Sequence, residues 1–135
     1  MSNPSVKQPP FALLVGINIT HVSPERVTAE LPVREDLTNG NGILHGGAIM
    51  TLADNLGGAA TMVNLQAGFL TTTIECKTNF FAAVSLGDTA HAECTALHRG
   101  RTTMVWQTRV TRGDGRLAAV VTQTQLVIEP RPKAN

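Results

Sequence analysis

The chain has no tyrosine, and aromatic residues make up only 4% of its 135 positions. That leaves few stacking platforms for single-stranded nucleic acid. Charge is sparse as well: charged residues are 16% of the chain, and the formal net charge is +1. A balance so near zero draws neither nucleic acid nor a membrane surface by bulk electrostatics. There is no long apolar run, since Phe11 to Ile17 is far too short to span a bilayer. Met1 to Pro10 lacks the charged and apolar regions of a secretory signal. Cysteine is limited to Cys76 and Cys94, with no C-x-x-C spacing and no histidine cluster beside them. Both are expected to be reduced, half-buried core residues of a cytoplasmic protein, and no metal site is expected.

What is present is a hydrophobic fraction of 42%, enough for one compact domain spanning residues 1–135. Met1 to Pro10 reads as a loose leader and Pro130 onward as a tail. Phe11 to Val15 predicts a short helix stopped near Gly16. Ile17 to Val33 predicts a strand interrupted near Ser23-Pro24. Asp36 to Gly42 is a turn-rich loop. From Gly46 to about Asn64, Ile49, Leu52, Ala53, Leu56, Ala59, Ala60 and Val63 fall on one stripe at helical spacing. Four strands follow: Thr71 to Val84 (Ile74, Cys76, Thr78 and Phe80 on one face), Asp88 to His98, Thr102 to Thr111, and Arg116 to Glu129. Short turns, including Gly113-Asp114-Gly115, make these strands antiparallel. One helix on an antiparallel sheet is an α+β arrangement, and a sheet wrapped around that helix has the hotdog shape.

Between Leu37 and Ile74 the only charged side chain is Asp54, in the middle of the apolar helix. A carboxylate in such surroundings needs a partner, water or a chemical task. It lies opposite the Leu52/Leu56/Ala60 stripe, so a solvated face would explain it. Its own face, however, carries Met50, Thr51, Gly58 and Thr61, small and uncharged where a wet helix normally shows Lys, Glu or Arg. Such a face suits close approach by a second subunit.

His45-Gly46-Gly47 opens the same helix. Glycines leave amides unobstructed at the positive end of the helix dipole, where they can bind a carbonyl oxygen that gains charge during acyl transfer. A Gly-rich helix entry alone reads equally as structure. Asp54 lies nine residues beyond His45, or about 13 Å along one helix. Reacting atoms must approach to about 3 to 3.5 Å. If the two ends act together, the carboxylate comes from a partner chain whose helix packs antiparallel across a dyad.

The run Asn39-Gly-Asn-Gly-Ile-Leu-His45-Gly46-Gly47-Ala-Ile-Met-Thr-Leu52-Ala53-Asp54 resembles the fingerprint of hotdog acyl-CoA thioesterases of the phenylacetate-degradation type. The resemblance continues through Thr73 to Phe81, Gly87-Asp88 and Gly100-Arg101-Thr102, so it spans about Phe11 to Glu129. It implies hydrolysis of an aryl- or medium-chain acyl-CoA with no cofactor beyond the coenzyme A of the substrate. It implies that the Gly46 amide, flanked by Gly47, polarises the thioester carbonyl, and that Asn39 holds the carbonyl or the water. Asp54 of the facing subunit would act as base or nucleophile, while His45 would fix the loop. Relatives carry a Ser or Thr near the carboxylate; Thr71-Thr72-Thr73 offers three, and alignment through Phe80 favours Thr73. The family has a proline soon after the aromatic pair, where this chain has Ala82-Ala83. Arg101 and Thr102 match the turn that receives the pantetheine arm and phosphates, with Arg99, Arg112 and Arg116 as rivals. A homodimer is implied, and relatives commonly pair such dimers into tetramers. Met50, Leu52, Met62, Phe80 and Phe81 would line an apolar acyl tunnel, or be plain core.

Three other readings compete. A hotdog hydratase or dehydratase would use His45 with Asp54 as an acid/base pair. A non-catalytic acyl-CoA-binding module would keep the pocket without needing Asp54. An interaction domain that only dimerises would make the Asn39/His45/Asp54 spacing a coincidence.

Overall fold

The computed structural model describes residues 6–132. Helix α1 (Pro10–Val15) begins on a proline, whose missing N–H costs nothing at a first helical position, and ends on Gly16. Arg34 closes it, with Nη1 donating to the Val15 carbonyl at 2.7 Å. The segment before α1 is not the loose leader expected of it. Val6 packs against the core, and Gln8 donates to the Ile17 carbonyl while accepting from Asn55 Nδ2 at 2.8 Å. The rest of the predicted leader, 1–5, and the tail end, 133–135, lie outside the described residues.

Strands β1 (Asn18–Val22), β2 (Arg26–Pro32), β3 (Leu70–Phe80), β4 (Thr89–Arg99), β5 (Thr103–Thr111) and β6 (Leu117–Ile128) form one sheet of order β1-β2-β4-β5-β6-β3. Every neighbouring pair is antiparallel. The break expected at Ser23-Pro24 is the β1–β2 turn. The four late strands are not a simple run of hairpins, because β3 pairs with β6 and not with β4. Strand β3 also stops at Phe80 and not at Val84. The chain leaves the sheet there so that the Val84 carbonyl can receive the Leu44 N–H at 2.8 Å. The β3–β4 connection thereby braces the loop before the long helix.

Helix α2 (Gly46–Met62) lies in the curl of the sheet and touches β2 through β6. Ile49, Leu52 and Leu56 are buried, each contributing about 1.5–3 kcal/mol. That burial offsets the glycines at 46, 47, 57 and 58, each costing about 1 kcal/mol relative to alanine where it is helical. Opposite them stand Val27, Ala29 and Leu31 of β2, Cys94 of β4, Trp106 of β5 and Val121 of β6. Leu52 is therefore core and no part of an acyl tunnel. Val63, placed on the buried stripe by periodicity, lies past the helix end and is exposed. Thr61 leaves the Asp54 face assigned to it: fully buried, it accepts from Trp106 Nε1 at 2.9 Å and donates to the Gly57 carbonyl at 2.8 Å. The sheet curls far enough around the C-terminal half of α2 to cover that side.

Candidate active site

Asp54 stands on the exposed side of α2, over an open cleft of about 690 Å³ lined by Gln8, Asn55, Met62, Thr71, Thr73 and Gln125, among others. Thr73 of β3 donates its hydroxyl to Asp54 Oδ1 at 2.6 Å. Of the three candidate threonines, Thr73 is thus the one the sheet delivers to the carboxylate. A bulge accounts for it. The register with β6 steps from Thr73↔Gln125 to Glu75↔Thr124, so Ile74 is an extra residue turned outward and exposed. Ile74 consequently does not share a face with Cys76. Burial and the negative charge of Asp54 both push the Cys76 thiol up. Cys94, fully buried rather than half-buried, is pushed to about 12 by burial. Both thiols are free and protonated at neutral pH, which disqualifies them as thiolate nucleophiles.

The second part of the site is the start of α2. His45 is its N-cap, and His45 Nδ1 accepts from the Gly47 N–H at 2.8 Å. Amides of Ala48 and Ile49 go to the His45 carbonyl at 2.9 and 3.2 Å. Among the described residues, this leaves the Gly46 N–H as the one first-turn amide without a protein partner, at the positive end of the helix. It opens on a separate, smaller cleft lined by Ile43, Ile49, Phe80 and Phe81. Asn39 shapes the approach: its Oδ1 accepts from the amides of Asn41 (2.9 Å) and Ile43 (3.3 Å). Only its Nδ2 remains to meet a carbonyl or water. Gly42 completes the turn with φ of 71°, a conformation that suits glycine.

These groups are not gathered at one point in the protomer. Asp54 and Gly46 are eight positions apart on one helix, about 12 Å, and they face different clefts. His45 and Gly47 border a third, with Phe11, Leu14 and Thr51. Of the expected tunnel residues, Met62 lines the Asp54 cleft and Phe80 and Phe81 the Gly46 cleft. Arg101 and Thr102 form the exposed β4–β5 turn, where the Thr102 carbonyl accepts from Val127 N. Val127 pairs with Thr71, so this turn sits at the sheet end that borders the Asp54 cleft. The rivals are elsewhere or engaged: Arg112 pairs with Asp114 on the opposite hairpin, and Arg99 donates to the Pro24 carbonyl and to Asn64.

The family profile of the thioesterase superfamily matches residues 41–119. The chain belongs to that superfamily. Its fold is superposable on a crystal structure of a thioesterase of Pseudomonas aeruginosa with a TM-score of 0.83, 30% identity and coverage of 87% of this chain and 85% of that one. It is 30% identical over 102 residues to the proofreading thioesterase EntH of Cronobacter turicensis, covering 76% of this chain and 74% of that protein. It is 28% identical over 107 residues to a 1,4-dihydroxy-2-naphthoyl-CoA hydrolase of Listeria monocytogenes, covering 78% and 85% respectively. This thioesterase-superfamily protein is therefore a thioester hydrolase with the hotdog fold anticipated from its residues. Sequence reasoning passed over two site residues, Gln123 and Gln125. Their signal was the polar run Thr122-Gln123-Thr124-Gln125 between two apolar stretches of one strand.

Proposed function

We propose that the enzyme hydrolyses an aryl- or medium-chain acyl-CoA thioester at a composite site, with Asp54 of one subunit facing Gly46 of the other. The observation that carries this reading is the separation of an anchored, water-accessible carboxylate from an unpaired helix-start amide by about 12 Å. One chain cannot bring both to a single carbonyl, whereas two helices related by a dyad can. The edge strand β3 supports such pairing: it is eleven residues long and carries exposed Leu70, Ile74 and Phe80. An apolar edge of that kind is a template for another strand. Pairing of two such dimers into a tetramer belongs to the same proposal.

In this reading the Gly46 amide hydrogen-bonds the thioester oxygen as it gains charge, with Gly47 keeping the approach open. Asn39 Nδ2 helps to hold the carbonyl or the water. Asp54 Oδ2 takes a proton from that water, or attacks the carbonyl to give an anhydride that water then opens. Either way the C–S bond breaks, and the thiolate of coenzyme A leaves and is protonated. Thr73 holds Asp54 Oδ1, and Arg101 and Thr102 receive the pantetheine and phosphates. Met62, Phe80 and Phe81 offer the acyl group an apolar wall. The two-ring acyl group in the name of the Listeria relative supports an aryl substrate, and the phenylacetate-degradation type rests on the resemblance of the Asn39 to Asp54 run alone. Two unpaired thiols support a cytoplasmic location. His45 Nδ1 already accepts from Gly47, which favours hydrolysis over a histidine-driven hydration.

The test is thiol release from a panel of aryl- and fatty-acyl-CoA thioesters. Asp54→Asn should lower kcat at least about 10²-fold with folding intact. Gly46→Pro should do likewise, because proline removes one amide at a position where it suits a helix. Equimolar mixing of the two dead variants, with subunit exchange, should then restore about a quarter of wild-type activity, since random pairing makes half the dimers mixed and each carries one intact site. No recovery on mixing sinks the composite site; no thiol release by wild type sinks the hydrolase specificity proposed.

A further inference from the structure

Beneath the catalytic carboxylate runs a chain of side-chain hydrogen bonds that has a direction. Gln123 Nε2 donates to the Ala53 carbonyl at 2.7 Å. A carbonyl can only accept, so the other end of that amide, Oε1, must face away from it. Gln123 Oε1 receives Gln125 Nε2 at 2.8 Å. That contact fixes the Gln125 amide in turn, and its Nε2 also donates to Thr73 Oγ1 at 2.6 Å. Gln125 Oε1 lies 3.0 Å from the Thr71 hydroxyl, whose single proton it shares with the Leu126 carbonyl at 2.8 Å. With an N–H pointed at its oxygen, the Thr73 hydroxyl can place its single proton on Asp54 Oδ1, 2.6 Å away. Asp54 follows Ala53 on α2, so the sequence of bonds closes a ring. Both glutamines are buried, at 0% and 1% exposure.

Such a pair in a strand core is costly unless every polar atom is satisfied. Helix α2 makes room for it with Gly57, where a Cβ would lie 2.1 Å from Gln123 Nε2 and 2.2 Å from its Cδ. The helix thus gives up a better helix former to admit an amide that packing alone does not need.

We infer that Gln125, steered by Gln123, is a positioning residue of the hydrolysis: it dictates which way the Thr73 hydroxyl points and so reserves Asp54 Oδ1 for anchoring and Oδ2 for reaction. The inference rests on the proposed role of Asp54. Gln125→Met removes the donor at nearly constant size. It should lower kcat by between about 10- and 100-fold, as for a misplaced reacting group, with KM within about twofold. In a Thr73→Val background the same substitution should cost nothing more, because Gln125 acts only through that hydroxyl. Unchanged kcat in Gln125→Met, or a loss that adds in full to that of Thr73→Val, overturns the relay. If Gln125→Met does not fold, Gln123→Met replaces it, removing the acceptor that orients the amide while keeping Gln125.

A crystal structure of the variant reads the same point without substrate. Loss of the Thr73–Asp54 contact supports the relay, and its retention overturns it. Absence of thiol release by the wild type would count against the assigned reaction and leave the relay to this second arm.

Discussion

Replacing Gly57 with alanine sets two effects of opposite sign against each other. Glycine inside a helix costs about 1 kcal/mol relative to alanine, so propensity alone predicts stabilisation. Against it stands a Cβ placed 2.1 Å from Gln123 Nε2 and 2.5 Å from its Oε1, where carbon contacts settle at about 3.5–4 Å. Gln123 would have to withdraw by more than an ångström, and it is fully buried. Its bonds to Ala53 and Gln125 would break without water to replace them, at roughly 1–3 kcal/mol for each group left unsatisfied. Overpacking adds about 1–3 kcal/mol. The clash wins, and we expect a net loss of at least about 2 kcal/mol. Urea unfolding at fixed protein concentration measures it, since any dimer makes stability concentration-dependent. The decisive comparison is Gly57→Ala in a Gln123→Ala background. With the obstructing amide gone, the same substitution should become stabilising by about 0.5–1 kcal/mol. A Gly57→Ala penalty of equal size in both backgrounds would refute the reasoning, as would a gain in the parent.

Thr61→Val leaves the buried indole N–H of Trp106 without its acceptor; it should cost about 1–3 kcal/mol and blue-shift the emission of the only tryptophan. His45→Asn preserves a good helix cap while removing the imidazole, so stability and kcat should stay within about twofold of wild type, whereas a fall of about 10²-fold would make His45 a proton carrier. Burial holds the Cys94 thiol to about 12 in the folded state, against about 8.5 unfolded. The folded form therefore keeps a proton that the unfolded form loses. Stability contributed by the neutral thiol is complete below about pH 8.5 and falls by up to about 1.4 kcal/mol per unit above it; Cys94→Ala should flatten that alkaline slope in thermal melts.

The helix was legible because its apolar stripe is long and its entry carries distinctive residues; the lone charge in the middle of it marked Asp54. Strand boundaries followed where turn chemistry marks them, as at Gly113-Asp114-Gly115, and failed at the end of β3, where no turn signal marks the exit at Phe80. Strand partners did not, because alternation along a strand reports which face is buried and says nothing of which neighbour it meets. Hence β3 could be recognised as a strand while its pairing with β6 could not. The glutamines failed to register for a related reason: a Thr-Gln-Thr-Gln run looks like a solvated stretch unless the strand is known to be covered, and β6 is flanked by β5 and β3 and packed against α2.

The misread face of β3 holds the most consequence for function. Strict alternation counted back from Cys76 and Thr78 puts Ile74 and Thr72 toward the helix and turns Thr73 away from Asp54. One extra residue in the ladder reverses that parity upstream of the bulge and leaves it intact downstream. Thr71 and Thr73 then join Cys76 and Thr78 on the inner face, all four partly buried, while Ile74 is expelled to the edge. The same irregularity thus delivers the hydroxyl to the carboxylate and adds an apolar side chain to the edge proposed for dimerisation. Deleting Ile74 should therefore separate two properties that ordinary point substitutions would leave coupled. The ladder would become regular with Thr73 still opposite Gln125 and still on the inner face, while the apolar side chain is lost from the edge. We expect a folded protein, by circular dichroism, that dimerises less tightly in sedimentation, and whose kcat at concentrations that keep it dimeric stays within about tenfold of wild type because the anchor is not displaced. If the deletion variant dimerises as wild type but loses about 10²-fold or more in kcat, the edge does not need Ile74 and the anchor depends on the bulge itself.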